Sequence, residues 1–220
     1  LDEVESITVD WEVAAAAVKT RHDIEEQAVA QRTVTTGCGQ GTMYGALMDQ
    51  IEGVQLPPPA AARIHQSQLP LLNEAMRKTD SVHRAAGSVH GCALFCGNQM
   101  LTFVEDVGRH NAIDTIAGWM WMQGDASASQ GADKLFYTTG RLTSEMVIKA
   151  AQLGVPIVIS RNGVTQMGYE LAQRLGMTLI GRASHRHFIC YTGFERFDAE
   201  PLPRSAQADN PSALIKAAAL

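Results

Sequence analysis

Cysteine, aromatic side chains and long apolar runs are all scarce in this chain of 220 residues. Its four cysteines are too few for a disulfide scaffold of this size, so a reducing, cytosolic compartment is expected. The longest apolar runs, at 13–18 and 155–159, fall short of the roughly 20 residues that a membrane-spanning helix needs. Positive charge is also in deficit, with 18 Lys and Arg against 23 Asp and Glu. This balance disfavours broad electrostatic binding to nucleic acid or anionic membranes, so any anion site must be local.

Composition shifts divide the chain into three parts. The triple proline that ends at Pro59 stops regular structure and closes an N-terminal portion, 1–59, whose polar loop around Cys38 is rich in glycine. Residues 60–198 carry the helix and strand patterns, and 199–220 form a tail rich in proline and polar residues. The sequence therefore predicts one α/β domain between a smaller front portion and a tail.

Hydrophobic periodicity assigns the elements of that domain. A hairpin is predicted at 92–104, where two apolar runs flank the turn pair Gly97 and Asn98. Helices are predicted over 69–86, 110–122, 143–153 and 165–175, and further strands over 134–138, 155–160, 177–181 and 188–192. Alternating strands and helices with short connections favour a three-layer α/β fold, with a parallel sheet core and an antiparallel hairpin at one end.

Three arginines follow three consecutive strands of this predicted sheet. Arg141, Arg161 and Arg182 each come just after a strand and next to or near a glycine. Because parallel strands end at one edge of the sheet, these side chains are expected to converge there, close to helix N-termini that favour anions. The alternative is that they are ordinary solvated arginines at the starts of loops.

The segment from Glu105 to Asn111 is dense in polar residues and admits two interpretations. Asp106 or Asn111 could cap the following helix while Arg109 pairs with Glu105. Arg109 could instead bind a phosphate or carboxylate, with His110 as a donor whose charge changes near neutral pH. The two interpretations are compatible.

Cys38 is the candidate reactive group. It lies between Gly37 and Gly39 in a polar loop, so its thiol is expected to be accessible, and nearby backbone amides could stabilise a thiolate or persulfide. A purely structural loop cysteine is the alternative. Cys92, Cys96 and Cys190 lie on apolar strands and are interpreted as small buried hydrophobic residues.

A zinc deaminase would share this fold class but needs a His-x-Glu motif and a later Pro-Cys-x-x-Cys motif. Neither motif occurs in the sequence. His185 and His187 flank Arg186 on an extended segment, which suits polar contacts with a ligand better than metal binding. No metal site is therefore predicted.

One stretch, Glu-Asp-Val-Gly-Arg-His-Asn at 105–111, is long and specific, and it lies between His90-Gly91 and Gly140-Arg141 in the order typical of one family. Together with the glycine-flanked Cys38 before it and Leu179-Ile180-Gly181 and Tyr191-Thr192 after it, it resembles the FdhD family of formate dehydrogenase accessory sulfurtransferases. The resemblance runs from about residue 35 to residue 192.

The resemblance implies a cytoplasmic homodimer with a cytidine-deaminase-like α/β domain that lacks zinc. It implies that sulfur passes as a persulfide from a cysteine desulfurase to the molybdenum cofactor, in its bis-molybdopterin guanine dinucleotide form, before formate dehydrogenase receives that cofactor. Cys38 corresponds by position to the sulfur-carrying cysteine. The cofactor-binding loop corresponds to Arg182, Ala183, Ser184, His185, Arg186 and His187, and the residues expected to add to it are Arg109, His110, Arg141 and Arg161.

The sequence departs from the family pattern at two places. Gly41 stands where many relatives have a second loop cysteine, so the sulfur would have to travel on Cys38 alone. The usual N-terminal strand and helix are not found ahead of Leu1, so a truncated front portion is expected. An alternative hypothesis is a chaperone that binds the cofactor without transferring sulfur.

Overall fold

Neighbouring residues of the central strands are buried on opposite faces of one sheet. We analysed a computed structural model that describes residues 3–22, 51–123, 130–184 and 187–200. Cys92 and Leu94 contribute to one apolar core, whereas Ala93 and Phe95 contribute to the other, and all four are fully buried. This alternation follows from the two-residue repeat of a strand and requires helices on both faces of the sheet.

The main sheet has six strands in the order β5-β4-β6-β7-β8-β9. Their bounds are β4 His90–Cys96, β5 Gln99–Asp106, β6 Lys134–Thr138, β7 Ile157–Ser160, β8 Thr178–Ser184 and β9 His187–Thr192. Strands β6, β7 and β8 are parallel, and β4 and β5 form the antiparallel hairpin. The parallel core and the hairpin are confirmed, but β9 pairs antiparallel with β8 at the opposite edge, which the sequence analysis did not predict.

Helices cover both faces and complete the three layers. The helices α3, α4 and α5 pack on one core, and their bounds are Arg109–Met122, Ser144–Gln152 and Gln166–Leu175. Helix α1, Gln68–Lys78, places Leu69 and Leu72 in the other core. The three-layer arrangement is therefore confirmed.

The helix predicted over 69–86 is in fact two helices, α1 and the short α2, Val82–Ala86. The break is stabilised from a distant part of the chain. Glu105 on β5 accepts hydrogen bonds from the Ser81 hydroxyl at 2.6 Å and from the amides of Val82 and His83 at 2.7 and 3.1 Å. These bonds satisfy amides that a helix start leaves free, so α2 begins where the Glu105 carboxylate lies.

Two two-stranded sheets are separate from the main sheet. Strands β1, Val4–Asp10, and β2, Ala15–Thr20, form an antiparallel hairpin, while β3, Ile64–His65, pairs in parallel with β10, Phe197–Asp198. The domain limits at 59 and 198 stay a prediction. Within the described ranges, no helix combines the length and the apolar character that a bilayer crossing requires.

Candidate functional site

One edge of the main sheet collects the groups that favour anions. Thr138 on β6 lies beside Cys92 near the start of β4 and beside Ser160 at the end of β7, so these strand ends share that edge. Helices α3, α4 and α5 follow β5, β6 and β7, and their N-termini point their free amides toward the same edge. Arg141 and Arg161 lie in the connections there, and Arg109 lies at the start of α3 on the same edge.

A cavity of about 420 Å³ opens at this edge. Arg161 and Asn162 line it from the end of β7, and Thr139 lines it from the end of β6. The other lining residues come from α2, the turn after it and the first residue of β4: His83, Gly87, Ser88, Val89 and His90. Sequence reasoning predicted Arg161 but missed His83, because only the folding of α2 back onto the sheet brings it here.

The pKa of His90 is lowered in part by positive charges around the cavity. Burial lowers the pKa of its imidazole from the usual 6.5, and the nearby charges of Arg109, His83 and Arg141 lower it further. Positive charge is therefore concentrated on this edge although the whole chain is acidic. An anion bound there would be stabilised by the same charges that disfavour the imidazolium form of His90.

Arg109 is the first residue of α3, and its side chain is held by close packing. A Cβ on Gly140 would lie 2.6 Å from the Cδ of Arg109, so the glycine makes room for the arginine side chain. The Nε atom of Arg109 is buried and has no hydrogen-bond partner. Because a buried guanidinium donor is normally satisfied, this atom supports the presence of a ligand acceptor.

The structural interpretation of the Glu105 to Asn111 segment holds in part, and ligand binding by Arg109 stays a prediction. Asp106 accepts hydrogen bonds from the Gly108 amide at 2.7 Å and from the Asn111 side chain at 3.1 Å, so it organises the start of α3. Glu105 is used by α2 instead, and the suggested pairing of Glu105 with Arg109 is not found. Arg109 is thus left available to a ligand.

His110 lies next to the cavity edge but does not line the cavity. Its Nε2 is 3.1 Å from a Glu145 carboxylate oxygen at the start of α4, without the geometry of a hydrogen bond. Burial lowers the pKa of His110, the charge of Arg109 lowers it further, and Glu145 opposes both effects. Its role as a contact for the cofactor stays a prediction.

Arg182 lies inside β8, which continues to Ser184, so the prediction that this strand ends before Arg182 is wrong. Arg182 is exposed, and its φ of +50° is unusual for a residue with a Cβ. Ala183 is buried, whereas Ser184 is exposed and pairs with His187 across β8 and β9. His185 and Arg186 lie outside the described residues, as do Cys38 and Gly41 of the reactive loop.

The described cysteines do not offer a reactive thiol. Cys92 is fully buried, and burial raises the pKa of its thiol to about 11. Cys190 is only half-buried, yet burial raises its pKa to about 11 as well. Cys96 is also half-buried, with Sγ 3.5 Å from Asp133, so the prediction of full burial holds for Cys92 alone. A protonated thiol is a poor nucleophile at neutral pH.

Metal ligands are not grouped in the part of the chain that the structure describes. No set of three or more His, Cys, Asp or Glu side chains within 3–22, 51–123, 130–184 and 187–200 is arranged to hold an ion. The chemistry of this edge, within those ranges, is that of an anion-binding site built from guanidinium groups, imidazoles and helix N-termini.

Comparisons with known proteins agree on one relationship. The model of the FdhD/NarQ family matches residues 1–198. The sulfur carrier protein FdhD of Bacillus subtilis is 30% identical over 199 residues, which cover 88% of this chain and 72% of the relative. The protein of the same name from Bacillus licheniformis is 29% identical over 203 residues, covering 89% of this chain and 73% of the relative.

A crystal structure shares the fold. It is described as a formate dehydrogenase accessory protein from Desulfotalea psychrophila and superimposes with a TM-score of 0.67 at 24% identity. The alignment covers 89% of this chain and 71% of that protein. At this identity the likeness establishes the arrangement of strands and helices.

Proposed function

The chain belongs to the FdhD/NarQ family, and from that premise we propose that it is a sulfurtransferase. It relays persulfide sulfur from a cysteine desulfurase to the molybdenum cofactor that formate dehydrogenase requires. Its substrate is the bis-molybdopterin guanine dinucleotide form of that cofactor. The relatives' name, sulfur carrier protein, supports the sulfur relay.

The single observation that carries the proposal is the cationic cavity at the edge of the sheet. A guanine dinucleotide substrate carries pyrophosphate groups, which need several positive donors in a fixed arrangement. Arg161 lines the cavity, Arg109 and Arg141 lie near His90, and Arg109 has a buried Nε without a partner. One guanidinium group can donate two parallel hydrogen bonds to the oxygens of a phosphate. This set of donors therefore fits the substrate.

Cys38 carries the sulfur in this proposal. Its thiolate attacks the terminal sulfur of the desulfurase persulfide, the donor S–S bond breaks, and the desulfurase cysteine leaves as a thiolate. Cys38 then holds a persulfide, and no net oxidation or reduction has occurred. Because Gly41 cannot form a disulfide with it, the persulfide does not collapse within the loop.

Mass spectrometry tests the sulfur step directly. The intact chain is incubated with a cysteine desulfurase and cysteine, without reductant, and its mass is measured. We expect one added sulfur in the original chain and in Cys190→Ala, and none in Cys38→Ala. Equal labelling of Cys38→Ala and the original chain would refute the assignment of Cys38.

A chaperone without sulfur transfer is the second candidate, because the described site contains binding groups and no ionised thiol. Formate dehydrogenase maturation in cells that lack their own family member separates the two. If the chain transfers sulfur, Cys38→Ala should abolish formate dehydrogenase activity. If it only binds the cofactor, Cys38→Ala should leave this activity intact. Arg161→Ala lowers it under both hypotheses.

The remaining parts of the proposal concern location and assembly. The chain acts in the cytoplasm as a homodimer, with cysteine desulfurase and formate dehydrogenase as its protein partners. Sedimentation velocity over a range of protein concentrations measures the assembly. A species of one chain at all concentrations would contradict the dimer.

A further inference from the structure

We propose that Asn162 is a positioning residue that fixes the segments carrying Arg141, Arg161 and Arg182 relative to one another. Asn162 lies directly after Arg161 at the end of β7, between the ends of β6 and β8. Its side chain, its amide and its carbonyl each contact a different segment of that edge. The inference rests on the proposed function, because it explains how the cavity keeps the shape that a pyrophosphate needs.

The side chain connects Asn162 to the end of β6. Its Nδ2 donates a hydrogen bond of 2.6 Å to the carbonyl of Thr139, two residues before Arg141. Thr139 and Asn162 both line the cavity. The bond therefore fixes the loop that carries Arg141 against the loop that carries Arg161.

The backbone amide of Asn162 adds a second connection. It donates to the Ser160 hydroxyl at 2.9 Å, and that hydroxyl in turn donates to the carbonyl of Gly140. Gly140 is the residue against which the side chain of Arg109 packs. A short chain of bonds thus leads from Asn162 to the residue that supports Arg109.

The carbonyl of Asn162 extends the connection to β8. It accepts a hydrogen bond of 2.8 Å from the amide of Arg182, the residue whose φ is +50°. Gly181 is needed beside it, because a Cβ there would lie 2.9 Å from the Asn162 oxygen. The β8 and β9 pairing shifts register between Gly181 and Ser184, so this bond holds Arg182 where the ladder is irregular.

An asparagine is the suitable residue for this set of contacts. Its amide nitrogen reaches the Thr139 carbonyl, whereas an aspartate would place an oxygen against an oxygen and a serine would be too short. Phosphate recognition by several guanidinium groups depends on their spacing, and small displacements of a binding group weaken it strongly. Loss of the Asn162 side chain should therefore loosen the Arg141 loop without removing any charge.

The test measures binding of guanosine diphosphate to the full chain by calorimetry. Asn162→Ala should weaken binding about ten-fold, as expected when a supporting bond is lost from a preorganised site. Gln173→Ala, which removes an exposed side-chain amide from the C-terminal end of α5, should leave binding unchanged. Asn162→Ser also keeps the backbone hydrogen bonds, and it replaces Asn162→Ala in this measurement if the alanine variant does not fold.

A double-mutant cycle distinguishes positioning from a general loss of structure. If Asn162 acts through the Arg141 loop, Asn162→Ala should cost about two-fold or less in the Arg141→Ala background, because coupled residues are not additive. Independent effects of the two substitutions would overturn the inference, as would unchanged binding by Asn162→Ala and Asn162→Ser. Failure of the original chain to bind guanosine diphosphate would instead overturn the proposed function.

Discussion

At the scale of single residues, the side chain of Arg109 packs closely against Gly140. The absence of a side chain at this position is what allows Arg109 to lie against the loop after β6. The same glycine offers its carbonyl to Ser160, so the contact is part of the bonded edge. The missing methyl group at position 140 therefore controls where the Arg109 side chain lies.

Gly140→Ala is expected to displace Arg109 and weaken guanosine diphosphate binding at least ten-fold. The new Cβ would be 2.6 Å from Cδ and 3.2 Å from Cβ of Arg109, and overpacking of this kind costs about 1–3 kcal/mol. Gly118→Ala in α3 is the matched control, because its Cβ would meet nothing within 4 Å. It should stabilise the chain by about 0.5–1 kcal/mol in urea unfolding, and unchanged binding by Gly140→Ala would contradict the packing argument.

The imidazole of His90 predicts a pH dependence of stability. Its pKa is lowered in the folded chain, first by burial and then by Arg109, so the unfolded chain binds this proton more readily. Stability should therefore fall as pH decreases from about 6.5 toward the lowered pKa, and it should be fully retained above that range. His110 has a lowered pKa and contributes with the same sign.

Chemical unfolding measures this effect in the original chain and in the variants His90→Gln and His110→Gln. The measurements are made at about pH 7.5, 6.5 and 5.5, which bracket the ordinary histidine pKa of about 6.5. Each substitution should reduce the loss of stability between the highest and lowest pH. If His90→Gln lost as much stability at low pH as the original chain, the folded chain would not disfavour the protonated imidazole of His90.

At the scale of elements, α2 depends on β5. Burial alone would raise the pKa of Glu105, but hydrogen bonds from Ser81, Val82 and His83 outweigh it and hold that pKa below its usual value. The ionised carboxylate thus begins the helix whose residues form one wall of the cavity. The strand and the helix act as one unit of the site.

Glu105→Ala is expected to destabilise the chain by about 1–2 kcal/mol, because it removes the cap of α2. Hydrogen exchange should accelerate at the amides of Val82 and His83 in particular, and guanosine diphosphate should bind more weakly. Glu170→Ala on α5, whose hydrogen bond to Gln166 is exposed, is the control and should change none of these. Unaltered exchange of α2 in Glu105→Ala would contradict its dependence on β5.

Local patterns were sufficient to predict elements whose signals are local. The hairpin of β4 and β5 follows from two apolar runs around Gly97 and Asn98, and the positions of Arg141 and Arg161 follow from strands that end before them. The break between α1 and α2 could not be predicted, because its cap comes from Glu105, 24 positions away from Ser81. The His83 wall of the cavity was missed for the same reason.

For the whole molecule, the formal charge of −5 contrasts with the cationic edge. Counting charges along the sequence gives the net charge, but it could not give the distribution of charge, which depends on the fold. Strand order brings Arg109, Arg141 and Arg161 to one edge, where their positive charges reinforce one another.

This distribution predicts a salt dependence of binding. Raising NaCl from about 0.1 M to 1 M shortens the screening length from about 10 Å to 3 Å, so guanosine diphosphate affinity should fall by about ten-fold or more. The fall should be smaller in Arg141→Ala, which has one positive charge fewer. Titration calorimetry at the two salt concentrations measures both, and equal salt dependence would place Arg141 outside the binding field.

The N-terminal hairpin has a different consequence for the molecule. Ile7 and Val9 on β1 lie opposite Val18 and Ala16 on β2, and their apolar side chains are exposed to solvent. Two strands alone are marginally stable in water, whereas the main sheet is covered on both faces. The hairpin should therefore unfold locally while the rest of the protein stays folded. In hydrogen exchange, deuterium should enter the amides of β1 and β2 long before those of β6 and β7.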